Sequence, residues 1–227
     1  MESARGIILC QPDNCKGCSV CCGLFNFRDC SILGLSEFLE AGRYRVRDFT
    51  TYEEFRLNAE VRDEFTHICP YQGFLAPGKP GCHIHPLSSG SEGRERSLFS
   101  AKICSRFLCP AHSILTAEEK ESLVGHINDW YLYSIAIADP ESFAYIHSYI
   151  TQTFGIDPHE ETAGILLNEG LNSHAESLTQ SSDIIFYYSQ PEYILHRENF
   201  CIRYNGKNRE RVIESIKKKA REAGLIK

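Results

Sequence analysis

No run of apolar residues in this 227-residue chain approaches the roughly 20 that a helix needs to cross a bilayer. The opening stretch MESARGIILCQPDN holds only three consecutive large apolar residues, too few for the core of a secretory signal, so the expectation is a cytoplasmic protein without membrane association. Neither a GxxxxGK[ST] phosphate loop nor a GxGxxG turn is present, which removes two common signatures of nucleotide enzymes. The stretch HEETA at His159 lacks the second histidine of a zinc-protease helix. Cations are scarce in the middle of the chain. Residues 113–200 carry a net charge of −12, between a neutral stretch over 1–112 and a net +6 over 201–227. Phosphate contacts need a cationic surface, so nucleic acid is not an expected partner. The basic tail reads as a solvated helix face.

What the chain does have is cysteine. Eleven cysteines in 227 residues fall below the roughly 8–10% of a disulfide scaffold, and an odd count in a reducing compartment argues for another use. Ten of them precede residue 110. The run NCKGCSVCCG, residues 14–23, contains Cys15, Cys18, Cys21 and Cys22. The tight turn inside a C-x2-C pair aims both sulfurs at one centre, which is why such pairs recur in zinc and iron–sulfur sites. Adjacent side chains diverge on a strand or a helix, so Cys21 and Cys22 are expected to do different jobs or to serve different metals. The stretch from Thr66 to His112 holds ten Gly and Pro among 47 residues and gains little from regular pairing. Its cysteines, Cys69, Cys82, Cys104 and Cys109, are candidates to pin it down.

Eight thiols are enough for two four-thiolate sites, or for one iron–sulfur cluster with thiols to spare. Cys10, Cys30 and Cys201 lack any such spacing and read as small buried hydrophobes. Zinc and iron both accept four thiolates. The number of thiols points to iron–sulfur, with zinc as the alternative. A ferredoxin run would need a fourth cysteine where Phe25 stands. A thioredoxin-like pair would need a βαβ context that the pattern does not offer. His83, His85 and His112 lie beside candidate ligands, as hydrogen-bond donors or as members of a mixed site. Arg28, Lys102 and Arg106 could offset the charge of a four-thiolate centre.

Taken in order, C-K-G-C-S-V-C-C, C-P-Y, G-C-H-I-H and C-S-R-F resemble the CxxCxxCC (YkgJ-type) family of zinc- or iron-chelating proteins. The resemblance spans residues 10–112. It implicates Cys15, Cys18, Cys21 and Cys22, then Cys69, Cys82 and Cys104; Cys109 is added here by proximity. Flagellin lysine methylases share the cysteine motif, so the resemblance also implies a protein-modifying reaction as one alternative. A zinc-stapled interaction module, binding a protein partner through its helices, is another. The chain departs from the family pattern at His85, which stands where a tyrosine is usual, and in the insertion LSSGSEGRERSLFS.

These features predict an α+β, mainly helical protein. An irregular, metal-stapled cysteine region at residues 1–112 precedes a helix-rich region at 113–227, the two packed as separate units or as one domain. Ser36 is the expected N-cap of a helix in SEFLEAGRY, and TYEEFRLNAEVRDEF reads as a second. Thr116 and Glu119 have capping-box spacing at the head of a helix whose stripe runs Leu123, Ile127, Trp130, Ser134 and Ala138. Asp139-Pro140 and Asp157-Pro158 mark helices over about 140–154 and 158–169, and a last helix covers about 208–223, stopped by Gly224. DIIFYYS, EYILH and FCIRYN are short β-prone runs.

Overall fold

The computed structural model describes residues 7–27, 29–45, 68–97, 99–179, 193–195 and 197–226. The fold is α+β and mainly helical, with one two-stranded antiparallel sheet among the described residues. Helix α1 (Ile32–Arg45) starts ahead of the expected cap. Ser36 lies inside it, and Ser31 does the capping: its Oγ accepts the Gly34 N–H at 3.2 Å. Leu35, Phe38 and Leu39, at the i, i+3, i+4 spacing of one helix face, are buried. The helix expected within TYEEFRLNAEVRDEF lies outside the described residues.

The breaker-rich stretch is more regular than its composition suggests. Strands β1 (Gln72–Ala76) and β2 (Lys79–Cys82) form a hairpin with Gln72 opposite Cys82 and Ala76 opposite Lys79. Pro77 and a left-handed Gly78, φ 69°, make the connection, the residue order that a type II turn favours. Three short helices follow: α2 (Pro86–Ser89), α3 (Ser100–Cys104) and α4 (Pro110–Ile114). Helix α1 lies against β1.

Beyond residue 115 the helices lengthen. Helix α5 (Ala117–His126) opens on a complete Thr116–Glu119 capping box. The single long helix expected here is two helices. The chain turns at 127–129, and Asp129 Oδ1 accepts the N–H groups of Tyr131 and Leu132, each at 2.9 Å, to start α6 (Trp130–Ala138). Every residue of α6 from Tyr131 to Ala138 is buried, so this helix is apolar all round and runs through the middle of the bundle. Helix α7 (Pro140–Phe154) has the expected bounds. Helix α8 (Glu161–Thr179) starts later and runs longer than expected. Asp157 instead holds a preceding turn, accepting the His159 N–H at 2.8 Å. Helix α9 (Gly206–Glu222) buries Val212, Ile216 and Ala220 along one face, which lies on α8.

One apolar core gathers residues from both sides of position 112, among them Leu9, Leu24, Phe25, Leu123, Ile146 and Leu171. Two tyrosines of α6 reach back along the chain. Tyr131 Oη donates to the Cys30 carbonyl at 2.7 Å, and Tyr133 Oη donates to the Leu9 carbonyl at 2.8 Å. A separate small cluster consists of Cys69, Tyr71 and Ile84, with Cys22, Cys82 and Phe99 packed against it.

A buried polar network braces the bundle. Asp139 caps α7 and accepts bonds from His174 Nε2 at 2.9 Å, Tyr193 Oη at 2.7 Å and the Ser142 hydroxyl. Burial pushes the Asp139 carboxyl up, but His174, Ser142 and Tyr193 outweigh it and hold the group below its ordinary value. Ser142, Asp139 and His174 are fully buried, and the trio ties helices together away from solvent. Ser142 Oγ also accepts the Ile202 N–H at 3.0 Å, and Arg197 pairs with Glu141. The β-prone runs are corrected here: 193–195 is a helical turn and 200–205 contains turns with no strand, while DIIFYYS lies outside the described residues. No helix among the described residues is long and apolar enough to cross a membrane.

Candidate metal centre

The cysteine run is shaped by its own backbone. Asp13 Oδ1 accepts the N–H groups of Cys15 at 2.7 Å and Lys16 at 2.6 Å, which folds the first turn. The Cys18 N–H then donates to the Cys10 carbonyl at 3.0 Å and closes the loop on itself. Between them Gly17 is pressed against the hairpin. A Cβ there would lie 2.1 Å from the Pro80 carbonyl oxygen, so no larger residue fits without moving backbone. A 3₁₀ turn, Val20–Cys22, ends at a left-handed Gly23 and carries the adjacent pair Cys21–Cys22.

The remote cysteines dock on this turn. The Cys22 carbonyl accepts both the Cys69 N–H and Gln72 Nε2, each at 2.8 Å. Cys82 arrives at the end of β2 opposite Gln72, and the next residue donates from His83 N to the Tyr71 carbonyl at 2.9 Å. Cys104 ends α3, its sulfur 3.1 Å from Ser97 Oγ, while Arg94 Nη1 donates to its carbonyl at 3.2 Å. Cys109 precedes α4 and is buried.

At the centre stands Cys22. Its thiol is hydrogen-bonded with those of Cys21, Cys69 and Cys82, and these contacts, ahead of burial, push it well above its ordinary value. The same contact with Cys22 pulls the Cys21 thiol down. Burial, followed by the sulfurs of Cys21 and Cys109, raises Cys10. Burial, then Cys10, Cys109 and Cys21, raises Cys18, whose sulfur accepts the Val20 N–H at 3.3 Å. Burial pushes Cys109 up to about 12 and Cys104 up to about 11.

The structure therefore brings Cys18, Cys21, Cys22, Cys69, Cys82, Cys104 and Cys109 into one neighbourhood. Cys15 is exposed on the outside of the loop. Cys10, set aside from the sequence, lies among the thiols instead. Its only sequence signal is proximity, because the backbone bond to Cys18 joins positions with no C-x2-C relation. Cys30 lies apart, its sulfur donating to the Phe27 carbonyl at 2.9 Å, and Cys201 is buried in the helical core. Lys102 and Arg106 are exposed, and Arg28 lies outside the described residues. Among the described residues, Arg94 faces the thiols, held first by Glu92 and also by the fields of Cys104 and Cys82. His85 is occupied in capping α2, with Nδ1 accepting the Leu87 N–H at 3.2 Å. His112 Nε2 is buried without a hydrogen-bond partner.

No group of three or more His, Cys, Asp or Glu side chains among the described residues is already drawn into metal-binding geometry. The thiols are neighbours rather than a closed polyhedron. Their chemistry nonetheless fits a thiophilic metal. Buried neutral thiols that raise one another's affinity for protons form an environment that a cation inverts, since each sulfur becomes a ligand once its proton leaves. The Val20 N–H on the Cys18 sulfur is a donor that a thiolate accepts better than a thiol.

No family model, curated protein or solved structure matches the chain.

Proposed function

We propose that this chain is a metal-binding protein whose cysteine thiolates hold an iron–sulfur centre. One observation carries the reading: Cys22 contacts the thiols of Cys21, Cys69 and Cys82, drawn from three separate parts of the chain. Burial alone would be served by any small apolar residue, whereas a thiol in contact with three other thiols is suited to ligation. The likeness of the run to the CxxCxxCC family agrees with this. When bound, such a centre would supply one-electron transfer or sensing. The chain's own contribution is to position the sulfurs, to cover them with Tyr71, Ile84 and Phe99, and to place Arg94 where it offsets negative charge.

Anaerobic purification followed by iron, sulfide and zinc analysis tests the proposal. Brown protein with matched iron and sulfide is the expected result, and Cys22→Ser should lose both. Colourless protein with stoichiometric zinc would overturn the iron–sulfur assignment while leaving thiolate ligation in place. Wild-type protein that holds no metal would overturn the whole reading.

A further inference from the structure

Resting on that reading of thiolate ligation, we propose that the thiols make two separate metal sites, one from Cys10, Cys18, Cys21 and Cys109 and the other from Cys22, Cys69, Cys82 and Cys104. The division is visible first in packing. Cys18 and Cys109 belong to the main apolar core that the long helices build. Cys22, Cys69 and Cys82 belong to the satellite cluster around Tyr71 and Ile84. Two apolar environments thus divide five of the eight sulfurs, Cys18 and Cys109 from Cys22, Cys69 and Cys82.

The backbone follows the same division. On one side the Cys18 N–H binds the Cys10 carbonyl and closes the loop that presents both residues. On the other the Cys69 N–H binds the Cys22 carbonyl, and β2 brings Cys82 opposite Gln72, which holds that same carbonyl. Sulfur neighbours agree. Cys10 feels Cys21 and Cys109, and Cys18 feels Cys10, Cys109 and Cys21. Cys22 bonds with Cys21, Cys69 and Cys82, and Cys104 feels Cys69, Cys21 and Cys82. Cys21 borders both sets. It completes the first, because the second has four sulfurs without it.

Two adjacent thiols in contact, each with its own further sulfur neighbours, can serve two ions side by side, which gives the C-C step a purpose. A divalent ion entering either set exchanges four S–H bonds for four metal–sulfur bonds and releases the protons to solvent. Cys15, exposed on the loop, belongs to neither set.

The test is an anaerobic titration of reduced, metal-free, full-length protein with cobalt(II), followed by its thiolate-to-metal absorption and with circular dichroism recorded alongside. Wild type should bind two equivalents. Cys10→Ser with Cys109→Ser should bind one, Cys69→Ser with Cys82→Ser should bind one, and all four together should bind none. Cys15→Ser should keep both. Should the first double variant lose its helical signal, Cys10→Ser alone gives the same reading, since Cys10 is only partly buried. A wild type that saturates at one equivalent overturns the division, as does a Cys10 variant that still binds two. A helical double variant that loses both equivalents also overturns it, because the sites would then be one. No cobalt binding at all would sink thiolate ligation itself, an outcome distinct from each of these.

Discussion

The bundle beyond residue 115 and the stretch from 68 to 109 are held together by different means. Helix α6 is buried along almost its whole length, and α8 packs against α5, α6, α7 and α9. Across 68–109 the longest described helix has five residues, and the local cluster has three fully buried members, one of them a cysteine. At about 25 cal/mol per Å² of apolar surface, so small a cluster offsets little of the roughly 1–2 kcal/mol needed to order each backbone residue. A region built in that way depends on cross-links or on its neighbours. On the proposed reading the thiols supply the cross-links through metal, and Gly17, Cys22 and α1 are the neighbours.

The largest effect that would sharpen this contrast lies in the bundle. Asp139→Ala should remove about 3–5 kcal/mol of stability in urea unfolding, because it strips partners from His174, Ser142 and Tyr193 in a fully buried site. A loss below 1 kcal/mol would mean that the network is incidental. Acid titrates the same group. Its folded-state pKa lies below the ordinary 3.8, so the carboxylate's contribution is complete above that value and disappears as pH falls through the folded pKa. Unfolding followed by tryptophan fluorescence should show a shallower acid limb in Asp139→Ala than in wild type.

Gly17→Ala probes the other side of the comparison. The added Cβ meets the Pro80 carbonyl at 2.1 Å, so the loop and the hairpin must separate, at a cost of about 1–3 kcal/mol. Hydrogen exchange should quicken over 68–82 and stay unchanged in α6 and α8. Uniform quickening would show that the two regions open together. The smallest effect belongs to Thr116→Ala, which removes the capping box of α5 and should cost about 1 kcal/mol, with no change in metal content.

Some of this was legible before the structure. Capping chemistry marked α5 and α7 because a cap is a local bond between residues three apart, fully written in sequence. The corner at 127–129 was hidden because Leu123, Ile127, Trp130 and Ala138 keep helical spacing across it, and the Asp129 cap that breaks the run interrupts no periodicity. FCIRYN looked like a strand because Phe200, Cys201 and Ile202 are all buried, and a short apolar run does not say whether strand or turn buries it. At the thiols, adjacency led to the expectation that Cys21 and Cys22 point apart, yet their thiols are hydrogen-bonded, because a 3₁₀ turn carries them rather than a strand or an α-helix. Cys10 and Arg94 were hidden, because their places depend on a folded loop and on the docking of 94–104, neither of which leaves a spacing pattern.

The tyrosine clamps on α6 have a consequence in time. Tyr131 and Tyr133 grip carbonyls 101 and 124 residues upstream, at Cys30 and Leu9, so they hold both flanks of the cysteine run. At about 5–20 residues per second on the ribosome, the run emerges roughly 5–20 seconds before the residues that clamp it. Throughout that interval its thiols hang on an open tether. For the proposed metal, delivery to the nascent chain and delivery to the finished protein would therefore be different events, the first to a pliant loop and the second to a seated one.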